Sequence, residues 1–229
     1  MAEVEVRDFR YERKFLVEEL DAGQACLLVR RHPAMFTAPY PPRFINNLYL
    51  DTEDMENYYA NVDGADERRK VRIRWYGELF GEISKPMLEF KIKSGLVSTK
   101  HIYPFPPFRL DDTFDHVSFQ KLVSLADLPE HIRAYMKNLG VVLCNRYYRW
   151  YYATHDQHFR VTVDRDMTYY QVRQSCNHFR HRVLDTRNII LELKYDKPQD
   201  VQASRIAGFF PFIVTKVSKY VTGIERVYL

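Results

Sequence analysis

Seven segments of this chain alternate apolar with polar residues, and a β-strand is the structure that puts every second side chain on one face. They are "FRYERKFLV", "FINNLYLD", "RKVRIRWYG", "MLEFKIKSG", "NRYYRWYYA", "FRVTVDRDM" and "IILELKYD", each rich in β-branched or aromatic residues. Helical candidates are fewer: residues 18–31, a short piece with Asp51 or Thr52 as N-cap, and residues 118–139, broken near Pro129. That balance excludes a βαβ plan and predicts an α+β architecture on a large, mostly antiparallel sheet or barrel. The Pro-rich pieces "AMFTAPYPPRF" and "IYPFPPF" read as extended connections.

With 229 residues, 46% of them apolar and 15% aromatic, the chain can cover a sizeable core, and no repeat or linker divides it. One domain over residues 1–229 is expected. The net charge of +4 is too small to announce a DNA or membrane partner, so the placement of the cations matters more. Cys26, Cys144 and Cys176 are widely spaced and form no Cys-x-x-Cys pair, which fits a reducing compartment. The N-terminus alternates charged and apolar residues unlike a secretory signal, and no apolar run approaches the ~20 residues of a membrane span. A cytoplasmic protein without a membrane segment is expected.

Strand parity groups the charges. Lys70, Arg72 and Arg74 share one face, as do Arg10, Glu12 and Lys14; Glu89, Lys91 and Lys93; Arg160, Thr162 and Asp164; and Glu192 and Lys194. The opposite faces carry Val71, Ile73, Trp75, Leu88, Phe90, Ile92, Val161, Val163, Leu191 and Leu193. Parity alone fits an antiparallel sheet with one face on a core and one in water. Three neighbouring cations argue for something more, because unit charges about 4 Å apart interact by about 4 kcal/mol at an effective dielectric of about 20. Crowded cations on a concave face call for a polyanion, and Glu12, Glu89 and Glu192 among them could hold Mg²⁺ or Mn²⁺ that bridges to phosphate oxygens. Lys216 and Lys219 would lie on one side of a C-terminal helix or simply in a solvated turn.

The pieces "YERKFLV" (11–17), "INNLYLDT" (45–52), "VRIRWYG" (71–77), "LEFKIK" (88–93), "NRYYRW" (145–150), "FRVTVDRDM" (159–167), "LELKY" (191–195) and "TKVSKYVTG" (215–223) occur in this order. Together they resemble the polyphosphate polymerase domain of the vacuolar transporter chaperone (VTC) complex, a branch of the triphosphate tunnel metalloenzymes. The resemblance implies an antiparallel β-barrel with helices packed outside and a basic lumen, the inverse of an ordinary small barrel. It implies a stand-alone, bacterial-type enzyme whose partners are ATP and inorganic polyphosphate and whose cofactor is Mn²⁺ or Mg²⁺. Arg72, Arg74, Arg146, Arg160, Lys219 and Glu192 would carry catalysis. Lys14, Lys70, Lys91, Lys194 and Lys216 would join those cations in gripping phosphates, with Glu192 and Glu12 on the metal.

Two departures matter. Related triphosphatases and cyclases carry two glutamates and a lysine at alternate positions of the first strand, where this chain has Arg10, Glu12 and Lys14. The polymerases also carry a tyrosine two residues before the arginine aligned with Arg146, where this chain has Cys144, leaving Tyr147 or Tyr151 as substitutes. The expected route takes ATP in at one mouth and the product chain out at the other. The alternatives are a metal-dependent triphosphatase and a non-catalytic polyphosphate or RNA binder, the latter drawing on the aromatics of "NRYYRWYY". Cys176, His178 and His181, like His155 and His158, form incomplete zinc sets. No GxxxxGK[ST] loop occurs, so any ATP site is not a P-loop.

Overall fold

The computed structural model describes residues 5–7, 10–94, 97–173 and 177–229; Cys176 and the side chain of Arg10 lie outside this set. In chain order the elements are β1 (Glu5–Arg7), β2 (Arg10–Val17), α1 (Ala22–Arg30), β3 (Arg43–Asp51), α2 (Glu56–Val62), β4 (Glu67–Tyr76), β5 (Gly81–Ile83), β6 (Met87–Ser94), β7 (Val97–Pro104) and β8 (Phe108–Leu110). There follow α3 (His116–Leu125), α4 (Glu130–Met136), β9 (Gly140–Ala153), β10 (Phe159–Gln171), β11 (Arg182–Asp185), β12 (Ile189–Asp196), α5 (Asp200–Gly208) and α6 (Lys219–Tyr228). The main sheet runs β1-β7-β6-β4-β3-β9-β10-β12-β2, antiparallel throughout, with β11 beside β10 and a separate β5-β8 pair.

This is the expected α+β fold, but the barrel is not closed. Among the described residues the path ends at β1 and β2, and β2 turns its free edge to another segment. Phe15 bridges to Val214, and Thr215 N–H donates to the Lys14 carbonyl at 2.8 Å. Those groups are the ones a closing strand would need. The sheet nevertheless curls far enough for β6 to face β2, with Lys91 Nζ 3.4 Å from Glu12 Oε2.

Parity puts apolar side chains outside. Val71, Ile73, Trp75, Leu88 and Phe90 pack beneath α3 and α4 through Phe119, Val123 and Met136. Phe15, Val161, Val163, Leu191 and Leu193 pack beneath α1 and α5 through Val29, Ala203 and Ile206. The helix starts follow local chemistry. Asp21 and Gln24 form a reciprocal capping box on α1, and Pro129, at the N-cap position of α4 with no side-chain hydrogen bond, separates α3 from α4. At α2 the residues singled out as N-caps act from farther back: Asp51 accepts from the N–H groups of Asn57 and Tyr58, and Thr52 Oγ1 from that of Glu56.

A third apolar cluster lies on the concave side. Tyr220, Ile224 and Val227 of α6 pack against Ile45, Tyr49, Leu143, Tyr169 and Ile190, and the Tyr220 hydroxyl donates to buried Asp51. The helix comes so close that a Cβ on Gly223 would stand 2.5 Å from Leu143 Cδ2. Among the strands around the expected lumen, α6 thus packs on the inner side of β9 and β10. No helix among the described residues is long and apolar enough to cross a membrane.

Candidate functional site

Glu192, on β12, is the hub of the concave face. Its carboxylate lies 2.6 Å from Lys194, 3.4 Å from Arg149, 3.5 Å from Lys219 and 3.9 Å from Lys14, and 3.4 Å from Thr162 Oγ1. Burial alone would raise its pKa, but Lys194, Lys219, Arg149 and Lys14 hold it well below the usual carboxylate range. Glu12, two residues before Lys14 on β2, sits 3.1 Å from that lysine. It too is held low against the cost of burial, by Lys14 and then by Lys91 and Lys194, while Glu192 opposes the shift.

A second group surrounds Glu89 of β6. Arg72 reaches it at 2.6 Å, Lys100 at 2.8 Å and Arg74 at 3.7 Å. Arg74 is fixed further by Asn47 Oδ1 at 2.9 Å and the Tyr147 hydroxyl at 3.2 Å, and Asn47 in turn donates to Asn145 at 2.8 Å. A guanidinium clamped on several sides presents its remaining N–H groups in a fixed direction. Burial depresses Lys100 to about 7 despite the pull of Glu89, and burial together with Lys14 and Lys91 also lowers Lys70, whose Nζ donates to Ser218 Oγ at 2.8 Å.

The third group is buried Asp164, which takes Arg149 in a bidentate pair at 2.5 and 2.6 Å and Lys219 at 2.6 Å. Burial would push its carboxyl up, and Arg149 and Lys219 hold it down. Lys219 also lies 4.9 Å from the centre of the Tyr147 ring.

The structure therefore gathers Lys14, Lys70, Arg72, Arg74, Lys91, Lys194 and Lys219 on the concave face with Glu12 and Glu192. Arg160 joins them at one end, paired in register with Lys194 and sharing the parity of Thr162. Arg146 does not. Its register partner is Asn46, whose side chain donates to Gly77 and Glu78 outside the sheet, and its guanidinium lies 3.8 Å from the exposed Phe44 ring. Lys216 precedes α6 instead of sharing its face with Lys219, and stands near Lys93.

On β9 it is Arg149 and not Arg146 that lies on the concave face, with Tyr147 two residues earlier on the same face; Cys144 is buried under the outer helices. The signal was present in "NRYYRW", where Tyr-x-Arg also occurs at 147 and 149. Lys100 escaped notice because only the β6–β7 register shows it beside Lys91. His155, His158, His178 and His181 are exposed, and among the described residues no group of three or more His, Cys, Asp or Glu is placed to hold a metal.

With Lys100 and Arg149 added, the cations gathered here outnumber the carboxylates set among them, Glu12, Glu89, Asp164 and Glu192. The surplus suits an anion of high charge. Glu12 and Glu192, joined through Lys14, are a donor pair of the hard-oxygen kind; Mg²⁺ or Mn²⁺ fits such a pair when phosphate oxygens and water complete the shell.

Solved structures share this fold. A candidate adenylate cyclase from Bacillus halodurans is 11% identical with a TM-score of 0.55, over 97% of this chain and 98% of that one. A candidate adenylyl cyclase from Hippeastrum, described as having a dominant triphosphatase activity, is 14% identical with a TM-score of 0.54, over 96% and 98%. A candidate adenylate cyclase from Vibrio parahaemolyticus is 11% identical with a TM-score of 0.51, over 94% and 98%. At these identities the likeness concerns the fold. No curated protein sequence matches the chain. Residues 9–228 match the VTC domain family, a span that contains every side chain gathered on the concave face, and the chain belongs to that family.

Proposed function

We propose that this chain is a metal-dependent phosphotransferase that passes the γ-phosphate of ATP to the end of an inorganic polyphosphate chain. The observation that carries the reading is the surplus of clamped cations around the Glu12–Glu192 pair on a concave face of a VTC domain. Phosphoryl transfer asks a protein for in-line positioning and for charge neutralisation, and offers it little covalent chemistry.

Arg72, Arg74 and Arg149, each oriented by a carboxylate, offer fork-shaped donors to the γ-phosphate. Lys14, Lys194 and Lys219 supply point charges for the remaining oxygens. A terminal oxygen of the acceptor chain attacks the γ-phosphorus, the bond to the β-phosphate oxygen breaks, and ADP leaves. Glu12 and Glu192 would hold Mn²⁺ or Mg²⁺, which supplies Lewis-acid neutralisation of the phosphate oxygens when bound.

A second reading is a metal-dependent triphosphatase. It is favoured by the packing of α6 on the concave side of β9 and β10, which narrows the room for a growing chain, and by the triphosphatase description of the Hippeastrum structure. Incubating the protein with ATP and Mn²⁺ and measuring polyphosphate, ADP and free phosphate separately decides between them. Polyphosphate with matching ADP supports the polymerase, and free phosphate alone supports the hydrolase. Thermal protection by tripolyphosphate with no turnover of ATP would leave only binding.

A further inference from the structure

The end of the lumen away from α6 is rimmed by rings that the proposed chemistry does not use. Arg43 opens β3, Tyr76 closes β4 and Tyr151 lies near the end of β9, all at the parity of the lumen side chains. The Arg43 guanidinium lies 3.8 Å from the centre of the Tyr76 ring and 5.3 Å from that of Tyr151, and its Nε donates to the Tyr151 hydroxyl at 3.2 Å. Tyr40, from the connection before β3, meets Tyr151 edge to face at 6.1 Å. Tyr40 is 62% exposed and Tyr76 48% exposed, so these two rings leave much of their surface to solvent, while Tyr151 packs partly buried beneath them.

Their spacing from the phosphate grips is short. Tyr76 follows Arg74 by two positions on β4, and Tyr151 follows Arg149 by two on β9, a step of about 7 Å along a strand, which a ribose can bridge. Because the cations lie inward of Tyr76 and Tyr151 and α6 packs toward the opposite end of β9, a nucleotide that enters phosphates first leaves its base at this rim. Bases stack on tyrosine rings and on guanidinium planes, the two surfaces offered here.

Building on the reading of the lumen as a triphosphate site, we infer that Tyr40, Arg43, Tyr76 and Tyr151 form a nucleobase platform that holds the base of the entering nucleotide by stacking alone. Stacking reads the face of a base and not its edge, so ATP and GTP should be accepted alike.

The test measures KM for ATP and GTP, and the affinity for tripolyphosphate, each with Mn²⁺, in the full chain and in Tyr76→Ala, Arg43→Ala and Tyr40→Ala. Tyr40 stands in an exposed connection, so its variant keeps the fold even if the strand-end variants do not. The expected result is a rise in KM for both nucleotides of about tenfold at Tyr76 and Arg43, smaller at Tyr40, with tripolyphosphate affinity held within about twofold. Equal loss for nucleotides and tripolyphosphate, or no loss for either, overturns the platform while the lumen reading stands. Wild-type protein that binds neither ATP nor tripolyphosphate overturns the lumen reading, and the platform with it.

Discussion

Asp164 Oδ2 and Lys219 Nζ lie 2.6 Å apart, and this contact ties the middle of β10 to the first residue of α6. The same carboxylate orients Arg149, so one buried acid fixes both the helix on the concave side and a concave-face guanidinium. Breaking a buried ion pair by neutralising one member costs about 3–5 kcal/mol. Asp164→Asn should therefore lower the urea midpoint at pH 7 substantially. The pKa values of Asp164 and Glu192 are depressed in the folded state, so their stabilisation is present above the unfolded value and lost as pH falls below about 4. Melts at pH 7 and about pH 3 should show a smaller acid loss in Asp164→Asn than in wild type; an equal loss would assign the acid sensitivity elsewhere.

Arg149 and Arg146 are three residues apart on one strand and face opposite ways. Arg149→Ala should lower kcat/KM for ATP by about 100-fold or more, the scale of removing one preorganised donor from a charge-stabilising site. Arg146→Ala, which loses its contact with Phe44 and a long hydrogen bond to the Gly77 carbonyl, both outside the concave face, should keep wild-type kinetics. The reverse pattern would mean that β9 is paired in the wrong register.

Lys100 has a depressed pKa of about 7 beside Glu89, set first by burial. A bound polyphosphate would raise that pKa again, so at about pH 8 binding must take up a proton, and affinity must fall as pH climbs above about 7. Calorimetry of tripolyphosphate binding in buffers of different ionisation enthalpy reads this uptake directly. Lys100→Gln should reduce it, leaving the part due to Lys70; uptake unchanged in the variant would remove Lys100 from the site.

Gly223 lies in α6, where Gly→Ala ordinarily stabilises by about 1 kcal/mol. Here the new methyl would stand 2.5 Å from Leu143 Cδ2 and 2.7 Å from Tyr169 Cδ1. Overpacking of this kind costs about 1–3 kcal/mol, so Gly223→Ala should lower the melting temperature. A rise would show that α6 is not seated against β9 and β10.

Period-two alternation carried most of the fold in the sequence itself, since a strand with residues such as Val71 and Ile73 on one side and Arg72 and Arg74 on the other has two faces and no other choice. Parity likewise put Glu12 with Lys14 and Glu192 with Lys194 before any coordinates. It could not say whether the charged side faced water or a lumen, because the same alternation serves both; the curl of the sheet and the helices laid over the apolar side decided that. Nor could parity choose between Arg146 and Arg149, which lie on opposite faces of β9, because the face that turns inward depends on the register with β3. The edge of β2 and the seat of α6 on β9 and β10 are also tertiary facts. Val214 and Thr215 take the backbone groups of β2, and Gly223 lets α6 come close, through contacts between segments about 200 and 80 residues apart in the chain.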